Sequence, residues 1–361
     1  MRVGITYDLQ SEYIRHGYDE EDTAEFDKPE TIEAIETSLK NLGYEVERIG
    51  NIISLVAMLS EGRSWDLVFN IAEGLYGFGR EAQVPALLDA YGIPYTFSDP
   101  MVLCITLHKG MTKHILRDCG VPTPNFMVID EPDDLKGCNL SFPIFAKPVA
   151  EGTGKGIGKL SKITDMESLF EVCTGLLKRF RQPVLLEEYL PGREFTVGIL
   201  GTGKRAEALP PMEIVFKTEM VLDTYSYYNK KNYREVVEYR IATGAIAESC
   251  MEVALKAWRC LGCRDAGRVD LRLDKVGKPN FMEVNPLAGL NPVDSDFPIL
   301  CRLAGISYQN LIGRIMESAI ERVGQKKKIK PVEEFRKEEV TKKEVTKKEV
   351  TKIEEIFEEV P

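Results

Sequence analysis

Short apolar runs alternate with amphipathic segments along the first hundred residues. Apolar runs are typical of buried strands, and amphipathic segments of helices that cover a sheet. The pattern predicts strands at Arg2–Tyr7, Tyr44–Ile49 and Trp65–Ile71, and helices at Thr31–Leu42, Ile52–Glu61 and Ala82–Tyr91. This alternation favours a parallel sheet with binding loops at the carboxyl ends of its strands. The long, acidic segment Leu9–Pro29 is predicted to be a functional or disordered loop.

Two further units and a tail follow. Residues 101–185 are predicted to hold three strands and two helices, at Lys109–Cys119, Phe126–Ile129, Pro143–Lys147, Gly158–Ser161 and Asp165–Arg181. Residues 186–325 are predicted to hold a strand that opens at Glu194, a strand at Leu209–Ile214, helix Ala245–Leu261, a hairpin and two final helices. Residues 326–361 repeat Val-Thr-Lys-Lys-Glu with a period that keeps no helical face, which indicates a low-complexity tail.

The predicted hairpin brings polar side chains together on one face. Apolar and polar residues alternate along its first strand, and a turn at Asp274–Pro279 precedes the second. Folding about this turn places Asp270 opposite Glu283 and Arg268 opposite Asn285, because cross-strand partners share a face. The opposite face is predicted to enter a core through Val269, Leu271, Met282 and Val284.

Two neighbouring carboxylates repel each other unless a positive charge lies between them. Mg²⁺ would supply it, since this ion takes oxygen ligands from one or two carboxylates and from substrate phosphates. An exposed hairpin face, with its charges in water, is the alternative that the hairpin alone leaves open.

A lysine and a glycine-rich loop lie upstream of the hairpin. A strand ends at Lys147, and the loop runs from Glu151 to Gly158. Glycines allow backbone N–H groups to surround a phosphate, and a lysine adds a point charge. The loop lacks the Gly-Lys-Ser/Thr ending of a P-loop, and a short strand is predicted after it, where a dinucleotide-binding fingerprint would have a helix.

Composition narrows the class of protein. The chain has 361 residues, 43% of them hydrophobic, which suggests two to three domains. No apolar run approaches the roughly 18 residues of a membrane span, and the N-terminus looks like a strand, so a cytoplasmic protein without membrane contact is expected. The net charge of −10 argues against nucleic acid as a partner.

Cysteine and histidine offer no site. The eight cysteines are expected to be reduced thiols. Cys260-Leu-Gly-Cys263 lacks the second pair that a zinc site needs, and is expected to pack at a helix end. The three histidines show no ligand spacing, and there is no Ser/His/Asp arrangement.

The order of these features resembles the ATP-grasp superfamily, and more closely the D-alanine–D-alanine ligase family. The resemblance covers about residues 1–322. It rests on Gly92-Ile-Pro-Tyr-Thr96, Lys147-Pro with Glu151-Gly-Thr, Gly192-Arg-Glu-Phe-Thr-Val197, Leu209-Pro-Pro, Leu261-Gly-Cys, Arg268-Val-Asp270, Glu283-Val-Asn285 and Ala304-Gly-Ile-Ser307.

The resemblance implies an α/β (α+β) ATP-grasp fold with three domains. These are an N-terminal parallel α/β domain (1–100), a central ATP-grasp lid subdomain (101–185) and a C-terminal ATP-grasp subdomain with an antiparallel sheet and a metal site (186–325), before the tail (326–361). The implied activity is an ATP-dependent ligase that joins an amino-acid carboxylate to an amine through an acyl phosphate, in peptidoglycan precursor synthesis. ATP and two Mg²⁺ ions, replaceable by Mn²⁺, are the implied cofactors, amino acids the substrates and a homodimer the expected assembly.

Residue roles follow from the same resemblance. Nucleotide binding is implied for Lys109 and Lys147 (phosphates), Glu187 (adenine amino group), the backbone of Glu188 and Leu190 (adenine edge), Glu194 (ribose), Glu151 and Met282. Metal binding is implied for Asp270, Glu283 and Asn285. Catalytic roles are implied for Arg268 and the Gly289 N–H (oxyanion), Thr153 (glycine-loop hydroxyl) and Lys230.

Departures from the family concern the substrate. The family's ammonium-binding glutamate has two candidates, Glu12 and Glu73, and Glu73-Gly74 stands where the family has His-Gly. Asp294 or Ser295 replaces a substrate-side serine. Lys230-Lys231 lies in the segment Tyr225–Tyr233, which is expected to be a loop that closes over the site, with a solvated surface loop as the alternative. D-alanine is the default substrate; another amino acid or conjugate, or an ATP-binding protein without ligase activity, are the alternatives.

Overall fold

The structure is a computed structural model that describes residues 1–217 and 237–324. In the described chain, strands β1 to β13 span Arg2–Tyr7, Glu45–Gly50, Leu67–Ile71, Phe126–Ile129, Ile144–Pro148, Lys162–Ile163, Val184–Glu188, Glu194–Leu200, Glu207–Ala208, Met212–Phe216, Val237–Ile241, Ala266–Leu273 and Pro279–Asn285. Helices α1 to α10 span Gln10–Arg15, Pro29–Asn41, Ile52–Ser60, Gln83–Ala90, Pro100–Leu107, Lys109–Asp118, Met166–Phe180, Ala245–Leu261, Asp296–Leu303 and Tyr308–Gly324.

The N-terminal sheet is parallel, with strand order β2-β1-β3. One face packs on α2 through Val3, Ile5 and Ile35, all fully buried. The other face packs on α3 and α4, with Leu55 and Leu88 in the core. Helices on both faces bury a parallel sheet completely, which explains the apolar runs. The predicted α/β alternation of this part of the chain is confirmed.

The central sheet is antiparallel, with strand order β4-β7-β5-β6 and α7 packed against it. The predicted strand Gly158–Ser161 is wrong. These residues form a turn in which the Ser161 N–H donates to the Gly158 carbonyl, and the Ser161 hydroxyl accepts from the Gly158 N–H. Strand β6 starts only after this turn, at Lys162.

The C-terminal sheet is antiparallel, with strand order β11-β10-β8-β12-β13 and β9 beside β8. The predicted hairpin register is confirmed: Arg268 pairs with Asn285, and Asp270 with Glu283. The register then shifts after Asp270. As a result Phe281, which is fully buried, occupies the core position that was predicted for Met282. The prediction that Met282 enters the core is wrong, because a bulge turns it toward a cavity.

A disulfide joins Cys119, directly after α6, to Cys260 in the last turn of α8. Their Cα atoms are 6.6 Å apart, within the distance that a disulfide spans. The expectation of eight reduced thiols is therefore wrong. The two helix ends lie side by side, and the Lys256 ammonium also donates to the Gly120 carbonyl at 2.8 Å. Cys263 is buried, as expected for a packing residue.

None of the helices in residues 1–217 and 237–324 is both long and apolar enough to cross a membrane.

Candidate active site

Two neighbouring cavities lie where loops from the three sheets meet. The larger one, about 300 Å³, lies between the loop before α2, the loop after β3, the glycine-rich loop and the segment after β13. The smaller one, about 90 Å³, lies between the central and C-terminal sheets, lined by β5, β7, β8, β12 and β13. Lys109, Glu151 and Glu283 line both cavities. A ligand in the smaller cavity can therefore reach a ligand in the larger one.

The polar face of the β12–β13 hairpin lies at this junction. Asp270 accepts hydrogen bonds from Arg268 at 3.3 Å and from Asn285 at 3.2 Å. Glu283, its cross-strand partner, has a carboxylate oxygen 3.7 Å from the Lys109 ammonium. The structure thus brings together the four polar residues that the hairpin register predicted.

Asp270, Glu283 and Asn285 carry oxygen atoms of the kind that Mg²⁺ prefers. Throughout residues 1–217 and 237–324, no three His, Cys, Asp or Glu side chains lie close enough together to hold a metal ion by themselves. Mg²⁺ needs only one or two carboxylates when substrate phosphates and waters supply the other ligands. The residues present fit such an ion if a nucleotide phosphate completes its coordination.

Arg268 and Gly289 lie on the wall of the larger cavity. Arg268 is 9% exposed, and its guanidinium donates to Asp296 at 3.0 Å. At Gly289 an added Cβ would come within 2.9 Å of the Ser295 hydroxyl, so the chain approaches too closely for a side chain. A guanidinium and a backbone N–H are groups that can stabilise negative charge on a ligand in such a cavity.

A buried ion-pair triad adjoins the smaller cavity, whose lining includes two of its members, Lys147 and Glu187. The carboxylate of Glu187 lies 2.6 Å from the Lys113 ammonium and 2.9 Å from the Lys147 ammonium. Burial acts to raise the pKa of Glu187, but the two lysines outweigh it and lower that pKa. Burial lowers the pKa of Lys113 to about 8.

Lys113 was not predicted as a site residue. It is one helical turn after Lys109 on α6, and it also donates to the Phe281 carbonyl at 3.0 Å. The only sequence signal for Lys113 was its position four residues after Lys109, which places both lysines on one helix face. The same spacing is common on solvent-exposed helix faces, so it did not indicate a site. Glu187 lines the cavity, as its predicted role requires, but its carboxylate is already shared by two cations.

The rim of the smaller cavity carries the other predicted nucleotide residues. Glu194 accepts a hydrogen bond from Arg272 at 3.3 Å. The Glu188 N–H donates to the Asn125 carbonyl at 2.9 Å, so a contact between Glu188 and adenine would use its own carbonyl. Leu190 and Met282 supply apolar surface to the same cavity.

The glycine-rich loop runs between the two cavities. The Lys109 ammonium donates to the Glu151 carbonyl at 2.6 Å, and the Glu151 carboxylate pairs with Lys155 at 2.6 Å. Thr153 adopts a left-handed φ of 49°. Its hydroxyl is buried and has no hydrogen-bond partner among the described residues. A buried hydroxyl of this kind is a candidate ligand contact.

Glu25 fastens the loop before α2 to the glycine-rich loop. Its carboxylate accepts hydrogen bonds from Arg80 at 2.7 Å and from the Gly152 N–H at 2.7 Å, and lies 3.3 Å from the Lys155 ammonium. Burial acts to raise the pKa of Glu25, but Arg80 and Lys155 outweigh it and bring that pKa to about 2. Arg80 also donates to the Ala150 carbonyl at 2.9 Å.

Neither Glu25 nor Arg80 was predicted from the sequence. The segment Leu9–Pro29, predicted to be functional or disordered, is ordered here and includes helix α1. The acidic residues along it look alike in the sequence, so nothing marked Glu25 as the one that crosses to the glycine-rich loop.

The substrate-side candidates divide into three groups. Glu12 lies exposed on α1 and does not line either cavity. Glu73, Asp294 and Ser295 all line the larger cavity. Lys230, with the segment Tyr225–Tyr233, lies outside the described residues.

Comparison with known proteins identifies the family of the chain. A family model described as "D-ala D-ala ligase C-terminus" matches residues 115–317. A D-alanine–D-alanine ligase of Aquifex aeolicus is 34% identical over 288 residues, which cover 79% of this chain and 93% of that protein. One from Bordetella avium is 33% identical over 264 residues, covering 72% and 80%. An uncharacterized protein of Sinorhizobium fredii is also 33% identical, over 270 residues that cover 72% and 76%.

Solved structures share the fold. The crystal structure of D-alanine–D-alanine ligase from Bacillus anthracis matches with a TM-score of 0.69 and 24% identity, over 89% of this chain and 98% of that one. A structure of that enzyme complexed with ATP matches with a TM-score of 0.66 and 23% identity, over the same shares. The fold is that of these ligases, and the chain belongs to the D-alanine–D-alanine ligase family.

Proposed function

We propose that the protein is an ATP-dependent ligase that joins the carboxylate of one amino acid to the amine of a second. The observation that carries the proposal is the junction of the two cavities, where Asp270, Glu283 and Lys109 meet. Phosphoryl transfer needs positive charge, from a bound metal ion and from cationic side chains, around the phosphate that passes from the nucleotide to the substrate. D-alanine is the first amino acid to test, because the named relatives are D-alanine–D-alanine ligases.

The smaller cavity is proposed to hold ATP. Leu190 and Met282 would contact the adenine, and the Glu194 carboxylate would accept hydrogen bonds from the ribose hydroxyls. Lys147 and Lys109 follow in the direction of the larger cavity and would bind the phosphates. Asp270, Glu283 and Asn285 would hold Mg²⁺, which would neutralise phosphate oxygens during transfer.

The chemistry has two steps. An oxygen of the first amino acid's carboxylate attacks the γ-phosphorus, the bond to ADP breaks, and an acyl phosphate results. The amine of the second amino acid then attacks the acyl carbon, loses a proton, and inorganic phosphate leaves with the oxygen that had joined it to the acyl group. The guanidinium of Arg268 and the N–H of Gly289 would stabilise the negative oxygen of the tetrahedral intermediate.

The test is amino-acid-dependent ADP release. The full-length protein is mixed with ATP, Mg²⁺ and single or paired D- and L-amino acids, starting with D-alanine, and ADP is followed by a coupled assay. Stimulation by at least one amino acid, with one ADP per condensation product detected by mass, supports the ligase. If no amino acid stimulates release although ATP binds, the alternative of an ATP-binding protein without ligase activity replaces it.

A further inference from the structure

Three carboxylates of separate segments line the larger cavity, and the charges of two of them act on the third, Glu73; together they are called the wall. Asp27 belongs to the loop before α2, Glu73 to the loop after β3, and Glu81 to the 3₁₀ helix Arg80–Ala82. All three line the cavity that adjoins the proposed ATP site. The Thr31 hydroxyl donates a hydrogen bond to Asp27, which helps to fix the carboxylate in place.

The cationic groups at this cavity have acidic partners elsewhere. Arg80 pairs with Glu25 at 2.7 Å, on the side of the glycine-rich loop. Arg268 pairs with Asp296 at 3.0 Å. Lys109 faces Glu283, and Lys28 is exposed at the rim. Among residues 1–217 and 237–324, no lysine or arginine forms an ion pair with Asp27, Glu73 or Glu81.

These carboxylates are costly to keep ionised in the absence of a ligand. Burial, with the charge of Asp8, raises the pKa of Asp27 to about 8. Burial raises the pKa of Glu81 to about 7, against the opposing charge of Arg80. Burial, with the charges of Glu81 and Glu25, raises the pKa of Glu73 well above its ordinary value. A cation beside them would relieve both the desolvation and the mutual repulsion.

The cation can belong to a substrate. The three carboxylates come from separate segments, and within the described residues no three acidic, histidine or cysteine side chains lie close enough together to hold a metal ion by themselves. A substrate side chain that reaches along the wall can instead meet carboxylates that stand apart. The α-ammonium of an amino acid can pair with only one of the three carboxylates. The methyl side chain of alanine leaves the other two without a cation, whereas a side-chain ammonium can pair with one of them.

We propose that one of the two amino acids is a diamino acid, whose side-chain ammonium binds along the wall formed by Asp27, Glu73 and Glu81. This inference rests on the proposed ligase function and adds the chemical class of one substrate. It makes a prediction that the ligase function alone does not make. Of two amino acids of the same shape, the one with a side-chain ammonium should give a higher kcat/KM than the one with a methyl group in its place.

The experiment uses matched pairs of amino acids. Lysine is compared with 2-aminoheptanoate, ornithine with norleucine, and 2,3-diaminopropionate with 2-aminobutyrate, each as D- and L-forms, alone and with D-alanine as the second substrate. ADP release gives kcat/KM for each. We expect at least one diamino acid to exceed its uncharged match by roughly 10- to 100-fold, the range of a hydrogen-bonded charge pair.

Variants of the wall residues test whether the wall causes the preference for diamino acids. Glu73→Gln keeps the shape and removes one charge, and should lower the ratio between diamino acid and uncharged match by about tenfold. Asp27→Asn is the second variant, in case Glu73→Gln does not fold. Glu61→Gln, an exposed glutamate after α3, is the matched control and should leave the ratio unchanged.

The two proposals fail in different ways. If uncharged amino acids such as D-alanine drive ADP release as well as diamino acids do, the diamino-acid inference is overturned and the ligase stands. A diamino-acid preference that survives both Glu73→Gln and Asp27→Asn also overturns it, because the wall is then not its cause. If no amino acid drives ADP release, the ligase function fails and the inference falls with it.

Discussion

Replacing Glu25 by glutamine tests the connection between the loop before α2 and the glycine-rich loop. The substitution keeps the shape of the side chain and removes the charge that pairs with Arg80 and Lys155. Arg80 is 8% exposed, so the variant leaves a buried guanidinium without its main partner. We therefore expect Glu25→Gln to destabilise the fold.

The pKa of Glu25 sets the magnitude. It falls from an ordinary value of 4.5 to about 2 in the folded protein. At about 1.4 kcal/mol for each pKa unit, the ionised carboxylate contributes about 3 kcal/mol to the free energy of unfolding at neutral pH. Breaking one side of a buried ion pair costs a similar 3–5 kcal/mol, roughly.

The sign of the pH dependence follows from the lowered pKa. The contribution is complete well above pH 4.5, and it is lost as the pH falls from 4.5 toward 2. The difference in unfolding free energy between wild type and Glu25→Gln should therefore shrink by about half between pH 7 and pH 3.

Urea denaturation followed by tryptophan fluorescence measures this difference. Trp65 and Trp258 are both buried, Trp65 in the core beside the N-terminal sheet and Trp258 on the buried face of α8. Glu238→Gln is the control, since Glu238 pairs with Arg240 on an exposed strand and should leave stability unchanged. A loss below about 1 kcal/mol at pH 7, or a difference that does not shrink at low pH, would refute the role given to Glu25.

Four other predictions concern activity and stability. Glu283→Gln should lower ADP release by roughly 100-fold with an unchanged melting temperature, because it removes charge at the phosphate and not from the core; an equal loss of stability would contradict this. Asp27→Asn should stabilise the protein, by an amount that grows as the pH rises from 3.8 to about 8, since the unfolded carboxyl ionises before the folded one; destabilisation in urea at pH 8 would contradict it. Cys260→Ser should lower the free energy of unfolding by about 2–5 kcal/mol, and dithiothreitol should do the same to the wild type but not to the variant. Deletion of Lys326–Pro361 should leave ADP release unchanged, because no role in the chemistry is assigned to the tail; lost activity at equal stability would show otherwise.

Local pattern was enough to place the central hairpin. Alternation along its first strand and a clear turn define which residues face each other, and the structure has Asp270 opposite Glu283 as predicted. The bulge after Asp270 was not visible in that pattern, because a one-residue shift leaves composition unchanged. It exchanges the places of Phe281 and Met282, which decides what lines the smaller cavity.

Helix α5 shows a signal that was present but missed. Asp99 caps it by accepting a hydrogen bond from the Val102 N–H, and Pro100 occupies the first turn. Both are ordinary helix-start signals. The helix is apolar almost all round, so it carries no amphipathic period that would predict it.

Contacts between distant residues could not be predicted. Glu25 meets Gly152 across 127 positions, and Cys119 meets Cys260 across 141. Lys113 and Glu187 meet only because α6 and β7 pack against the same cavity. Such pairs depend on how the three sheets are assembled, and no local period or spacing in one sequence encodes that assembly.

Oxygen transfer from the amino acid to phosphate tests the ligase mechanism most directly. The protein is incubated with ATP, Mg²⁺ and the amino acid that best stimulates ADP release, labelled with ¹⁸O in its carboxylate, in unlabelled water. An acyl phosphate that is broken by the second amine must deliver one ¹⁸O atom to each inorganic phosphate, and the mass of the phosphate will show it. Phosphate without ¹⁸O, or ¹⁸O found in AMP, would contradict the proposed ligase mechanism.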